Sequence, residues 1–301
     1  MKKHRVFNLR SGKGRITQTM LLLVIIAGCL VVILFMLLPP HTTGGSHAAA
    51  GQKTTGAAPA ATDTSSAGSP TTQPTPVGGW KIAIVVDDAG YNLTKLQRLL
   101  KFPGKMTVAV LPKVIYSTRC AELTHAAGKE VILHLPMQPE GSEDPGPGVI
   151  TIDQDQDQIL STLEEDLATV PYAAGINNHM GSLATQDRAV MNTIFAYCEE
   201  HNLFFLDSKT TASSVSGELA PDYNLPVLAR DVFLDNERGK NQIKDALAKG
   251  MELARKRGYA VLIGHVYDEL IDVLLEMYPL FAKQGFRLVT VSELLQSLKE
   301  R

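Results

Sequence analysis

From Lys81 to the end of the 301-residue chain, short runs of apolar residues alternate with longer stretches of helical periodicity. Strand-like runs stand at 81–86, 106–110, 130–135, 174–177, 203–206, 226–229, 259–264 and 287–291. Most are continuously apolar, the pattern of parallel strands covered on both faces. Between them, Ile159, Leu163, Leu167 and Val170 fall on one side of a helix, and Ile243, Leu247, Met251 and Ala254 on one side of another. The second closes with Arg255-Lys256-Arg257-Gly258, basic residues and then glycine, a C-terminal cap signature. Seven or eight such units predict an α/β fold, a distorted seven- to eight-stranded (β/α) barrel. An open doubly wound sheet is the alternative, but it gathers ligands at one switch point, whereas polar candidates here end at least five strands.

Before Trp80 the pattern changes. Residues 1–15 form a basic leader with six Lys and Arg and no acid. Residues 16–38 read as a transmembrane signal anchor, because Met20 through Leu38 are 19 consecutive positions without a charge. At about 1.5 Å per residue such a helix covers roughly 30 Å of hydrocarbon. The leader places the N-terminus in the cytoplasm. The expected location is the cell membrane, single-pass, with the catalytic domain on the periplasmic or extracellular side. A cleavable signal has a shorter apolar core of about 7–15 residues, although Ala48-Ala49-Ala50 could be cut. Ile26-Ala27-Gly28-Cys29 is similar to a lipoprotein signal, but the apolar run continues past Cys29 to Leu38. Residues 39–79, rich in Ala, Gly, Ser, Thr and Pro, cannot bury a core and read as a disordered linker. That leaves residues 80–301 as the folded domain.

The whole chain carries a net charge of −2, so with six positive charges in the leader the remainder carries −8. A mildly acidic body argues against nucleic acid as a partner. Cys120 and Cys198 sit in helix-like stretches and read as small core residues rather than zinc thiolates. Asp153-Gln154-Asp155-Gln156-Asp157 imitates a calcium loop, but the sixth position is Gln158 where the turn needs glycine. It reads instead as an acidic helix N-terminus.

The chemistry lies at the strand ends. Asp87, Asp88, His134, His179, Asp207 and His265 each stand where a strand-like run ends, and in a parallel barrel all such ends share one rim. Two adjacent carboxylates in a dry site repel one another, and a metal bound by one relieves this and leaves the other as a base. Asn177-Asn178-His179-Met180-Gly181-Ser182 is a dense polar run, and Arg230-Asp231 follows the sixth strand. Histidines with neighbouring aspartates suit a divalent metal with a water ligand.

These residues resemble a family. Val86-Asp87-Asp88-Ala89-Gly90, Gly128 through His134, Leu262-Ile263-Gly264-His265 and Gly285 through Leu294 are similar to the motifs of polysaccharide deacetylases of the NodB-homology type, in the divergent, YibQ-like branch. The resemblance implies a metal-dependent hydrolase with Asp87 as base, Asp88 and His134 as metal ligands, and His265 as acid. It implies a divalent metal, zinc in type, and an acylated envelope polysaccharide as substrate. The family's second metal histidine, four residues after the first, is Gln138 here, and its Arg-x-Pro-Tyr motif is absent. His179 is therefore expected to supply the missing imidazole. Asn178, Asp207, Arg230 and Asp231 are expected to orient these groups, grip sugar hydroxyls or form rim ion pairs. Two other functions stay open: a metal-free glycosidase using Asp87 with Asp207, and a non-catalytic envelope protein that binds glycan or a partner.

Overall fold

The computed structural model describes residues 79–300. The expected leader, membrane helix and all but the end of the linker lie outside them. Among the described residues no helix is long and apolar enough to cross a membrane.

Strands and helices alternate: β1 (Trp80–Ala89), α1 (Leu93–Leu99), β2 (Thr107–Val110), α2 (Ser117–Ala126), β3 (Glu130–Met137), α3 (Gln156–Thr169), β4 (Ala173–Met180), α4 (Arg188–Glu200) and β5 (Phe204–Asp207). Then follow α5 (Ser216–Leu219), β6 (Val227–Ala229), β7 (Val232–Phe233), α6 (Lys240–Arg257), β8 (Tyr259–His265), α7 (Asp268–Lys283), β9 (Phe286–Val289) and α8 (Val291–Lys299). All strand pairs are parallel, in the order β6-β5-β4-β3-β2-β1-β8-β7, with β9 also paired to β1. The N-terminal half of β1 pairs β9 and its C-terminal half pairs β2.

The sheet curls around an inner layer, and strand alternation decides what fills it. Ala83, Val85, Ala109, Ile132, Phe204, Leu206, Val261 and Ile263 form one buried cluster with Val291, Leu294 and Leu295 of α8, which plugs the lower end. Their neighbours of opposite parity, among them Ile82, Ile84, Val86, Leu133, Phe205 and Leu262, pack in a second cluster with the surrounding helices. Two residues beyond the inner layer, the same parity delivers Asp87, His134, Ser208 and His265. Register adds Asn177 beside His134 and sets Asp87 beside His265.

The strands carrying the site outlast their apolar runs. β1 and β4 continue three residues beyond the expected 86 and 177, and β3 two beyond 135. The interior turns polar at that height while the backbone ladder goes on, so Asp87 and His179 lie within strands rather than after them. The expected distorted seven- to eight-stranded barrel is observed as a curled half-barrel. The sheet path ends at β6 on one side and β7 on the other. Residues 227–233 lie between β5 and β8 and bond to each in turn: Arg230 N–H donates to Asp207 O and Asp231 N–H to Val261 O. No continuous strand fills that gap, and the fold is a curled parallel sheet. β9 stops at Val289, short of the expected 291, because Thr290 is the N-cap of α8.

Helix ends follow the expected chemistry. Asp155 caps α3 in a reciprocal capping box with Gln158, as its acidic N-terminus requires. Gly258 closes α6 in the left-handed conformation at φ 96°. Cys120 and Cys198 are buried and unpaired. At the lower end, Glu130 Oε1 accepts from Thr107 Oγ1 at 2.7 Å and Val291 N–H at 2.9 Å, and Oε2 accepts from Ser292 N–H at 3.2 Å. One carboxylate thus holds the start of α8 against β2 and β3. Charge-assisted bonds of this kind contribute about 1.5–3 kcal/mol each. Glu130→Ala is expected to lower stability by about 2 kcal/mol or more, read as a lower midpoint in urea at unchanged m-value.

Candidate metal centre

Asp87 and Asp88 are consecutive, so a regular strand would send them to opposite faces. The register between β1 and β2 slips between Val86 and Ala89, and Asp88 adopts φ 64°. This bulge, with an uncommon left-handed aspartate, turns Asp88 back towards the rim. There its Oδ1 lies 3.3 Å from His134 Nε2 and 3.2 Å from His179 Nδ1. The two ring nitrogens are 3.1 Å apart. All three ligand atoms fall within 4.8 Å of one another.

This trio suits a small divalent cation. A tetrahedral ion with N and O ligands at about 2.0–2.1 Å holds those atoms about 3.3 Å apart, matching the three observed separations. Asp88 Oδ1 is buried and has no hydrogen-bond partner among the described residues. Two imidazoles and one carboxylate form a zinc-type donor set. Burial opposes the charge on Asp88, but the facing imidazoles of His134 and His179 hold its carboxyl well below the usual range.

Asp87 stands beside the trio, buried, with Oδ2 3.6 Å from His134 Nε2. Its Oδ1 accepts from Asn177 Nδ2 at 3.0 Å. Burial, with the charge of Asp88 adding, pushes the Asp87 carboxyl up against the lowering pull of His134, His265 and Asn177. Across the register, His265 Nδ1 contacts Asp235 Oδ1 at 2.9 Å, and His265 N–H donates to Asp235 Oδ2 at 2.7 Å. Burial disfavours the imidazolium, but the hydrogen bond and charge of Asp235, reinforced by Asp88 and Asp87, lift its pKa to about 9. With Nδ1 committed to Asp235, Nε2 carries the proton available for transfer.

Comparison with known proteins gives this geometry a family. The family model described as divergent polysaccharide deacetylase matches residues 84–295. The chain belongs to the divergent polysaccharide deacetylases. Protein YibQ of Escherichia coli (strain K12) is 34% identical over 202 residues, 67% of this chain and 63% of that protein. The chain thus spans under two thirds of that relative's length. A protein of Haemophilus influenzae (strain ATCC 51907 / DSM 11121 / KW20 / Rd) is 32% identical over 194 residues, 64% of this chain and 69% of its own. The crystal structure of an Agrobacterium tumefaciens C58 protein shares the fold at TM-score 0.70 and 24% identity, covering 72% of this chain and 89% of that one.

In this member of the divergent polysaccharide deacetylase family the other sequence candidates have plain positions. Gln138 is turned away from the trio: its Oε1 accepts from Ile152 N–H at 2.9 Å and so fixes the β3–α3 loop. Asn178 ties the ends of β4 and β5 together, accepting from Ser208 N–H at 2.8 Å and donating to Met180 O at 2.7 Å. Asp207 has the parity of Phe205, on the helix side, and accepts from Lys209 N–H and Ser214 Oγ. Arg230 donates to the carbonyls of Ser208 and Lys209 and lies 3.9 Å over the Phe233 ring. Asp231 pairs with Arg257 and accepts from Val261 N–H, which holds β7 against β8.

Two residues that the sequence reading did not single out by role, Asn177 and Asp235, complete the site. Asn177 bridges it, meeting His134 Nδ1 through Oδ1 at 2.9 Å while Nδ2 donates to Asp87 and, at 3.2 Å, to Ser208 Oγ. That contact leaves His134 Nε2 to face Asp88. Asn177 shares the parity of His179, a signal present in the sequence. Asp235 follows a strand of only two residues and gives no comparable signal. Asp235→Asn removes the main support for the His265 charge while burial persists. Below its pKa His265 holds the proton and above it the proton is lost, so the titration midpoint of His265, expected near pH 9, should move down towards or below the ordinary value of about 6.5. A pH titration of the variant checks this.

Proposed function

We propose that the chain is a membrane-anchored, metal-dependent hydrolase that removes N-acetyl or related acyl groups from a cell-envelope polysaccharide. The observation that carries this reading is the convergence of Asp88, His134 and His179 within 4.8 Å, with Asp87 and His265 in register beside them. The trio would hold a divalent cation, zinc in type. Such an ion supplies Lewis acidity for an acyl carbonyl and for the attacking water.

The residues themselves do the rest. Asp87, buried and raised in pKa, takes the proton of the attacking water as the acyl carbon becomes tetrahedral. Asn177 keeps its carboxylate turned to that task. His265, charged at neutral pH through Asp235, gives its Nε2 proton to the departing amine. The amide C–N bond breaks, releasing acetate from an N-acetyl group and leaving the glycan amine. Asp207 lies on the helix side, where its carboxylate accepts from Lys209 N–H and Ser214 Oγ, and this favours the hydrolase over a glycosidase built on Asp87 and Asp207. The apolar run at 16–38 and the polar stretch at 39–79 support a tether that leaves the domain beside envelope glycan, outside the cytoplasm.

Acetate release from tri-N-acetylchitotriose tests the reading. The zinc-loaded chain is expected to release acetate, to lose this on chelation and to regain it with zinc or cobalt. Stoichiometric metal without turnover of any acylated glycan would make the chain a binding protein instead.

A further inference from the structure

A cavity of about 240 Å³ opens beside Asp88, walled by Tyr91, Asn92, Lys95, Val266 and Tyr267. At about 30 Å³ per water this is room for roughly eight waters, the scale of one sugar ring. Its two aromatic walls come from the loops after β1 and β8, the strands that carry Asp87 and His265.

The backbone that carries Tyr91 is anchored on both sides, and the Tyr267 ring has packed neighbours. Gly90 takes φ 141°, and a Cβ there would meet Val114 Cγ2 at 2.5 Å, so the turn lies pressed against the β2–α2 loop. Gly90 O accepts from Tyr116 N–H at 3.0 Å. On the other side, Asn92 caps α1 by accepting from Lys95 N–H at 2.9 Å. Tyr91 stands between these anchored neighbours and is 58% exposed. Tyr267 is set by His265, whose ring lies 5.6 Å away, and by the Arg238 guanidinium 4.1 Å from its centroid. Tyrosine offers an apolar face and a polar tip at low conformational cost. Lys95 Nζ is paired with Asp268 at 3.2 Å, so the polar lining is largely neutralised and suits hydroxyl groups rather than an anion.

We propose that this cavity is a subsite that seats one pyranose ring of an N-acylated glycan against Tyr91 and Tyr267, directing the acyl substituent of that ring or its neighbour towards Asp88. The inference rests on the deacetylase reading and names its substrate contact. Tyr91 and Tyr267 bind the ring by stacking, and neither takes part in bond cleavage.

Calorimetric binding of tri-N-acetylchitotriose to the zinc-loaded full chain tests it. Tyr91→Ala is expected to weaken binding about tenfold, the size of one aromatic contact. Tyr267→Ala should do likewise, and Tyr91→Trp should restore wild-type affinity within about threefold. Unchanged zinc content and thermal midpoint exclude misfolding as the cause. Equal binding by wild type and Tyr91→Ala, no binding by wild type, or failure of the tryptophan variant to restore affinity overturns the subsite. If Tyr91-dependent binding occurs without acetate release, the subsite stands and the hydrolase reading falls. If acetate is released with the same KM by wild type and Tyr91→Ala, the hydrolase stands and the subsite falls.

Discussion

His179→Ala is expected to lower zinc affinity by at least about 100-fold and to remove acetate release with it. Loss of a group that merely orients a ligand costs about 10–100-fold in affinity, and His179 is proposed as a ligand itself. Without it, Asp88 and His134 offer two donors, too few to close a tetrahedral site. Its ring is only partly buried, so truncation should leave the fold intact. Gln138→Ala is the matched control. Gln138 stands where the family's second histidine is expected, yet its side chain fixes the backbone at Ile152. Its removal should loosen that loop and leave zinc bound. Zinc content after gel filtration, measured on both variants, decides between the two positions. Loss of metal in the Gln138 variant and retention in the His179 variant would reverse the assignment.

Asp87→Asn is expected to lower kcat about 10³-fold or more while zinc stays bound. General-base catalysis contributes about 10²–10⁴-fold, and the amide cannot take a proton at any working pH. The substitution keeps the size of a buried side chain, so little repacking follows. Asp87 Oδ2 is 3.6 Å from His134 Nε2, farther than Asp88 Oδ1 at 3.3 Å, and only Asp88 also faces His179. For that reason the ligand role falls to Asp88 and the proton-transfer role to Asp87. Activity and zinc content are measured together. If Asp87→Asn loses zinc in step with activity, the two aspartates exchange roles.

Much of this architecture is legible in the residue pattern, and the failures have physical causes. Val85, Ile132 and Ile263 are the last inner-layer apolar residues of their strands, and counting two residues onward finds Asp87, His134 and His265. The same count discards Asp207, which follows an apolar run but has helix-side parity. It cannot find Asp88, because a bulge at φ 64° breaks the alternation there. Nor can it find Asp235, whose strand of two residues has no periodicity to read. The distortion of the barrel centres on 226–229, which reads as an ordinary strand. Its continuation through Arg230 and Asp231 instead divides its hydrogen bonds between β5 and β8.

The central claim is that Asp88, His134 and His179 enclose one cation. Anomalous diffraction at the zinc edge from crystals grown with zinc tests it most directly. The account predicts one strong peak about 2.0–2.2 Å from Asp88 Oδ1, His134 Nε2 and His179 Nδ1 together. A site without a peak at that point, or a peak reached by only two of those side chains, contradicts it.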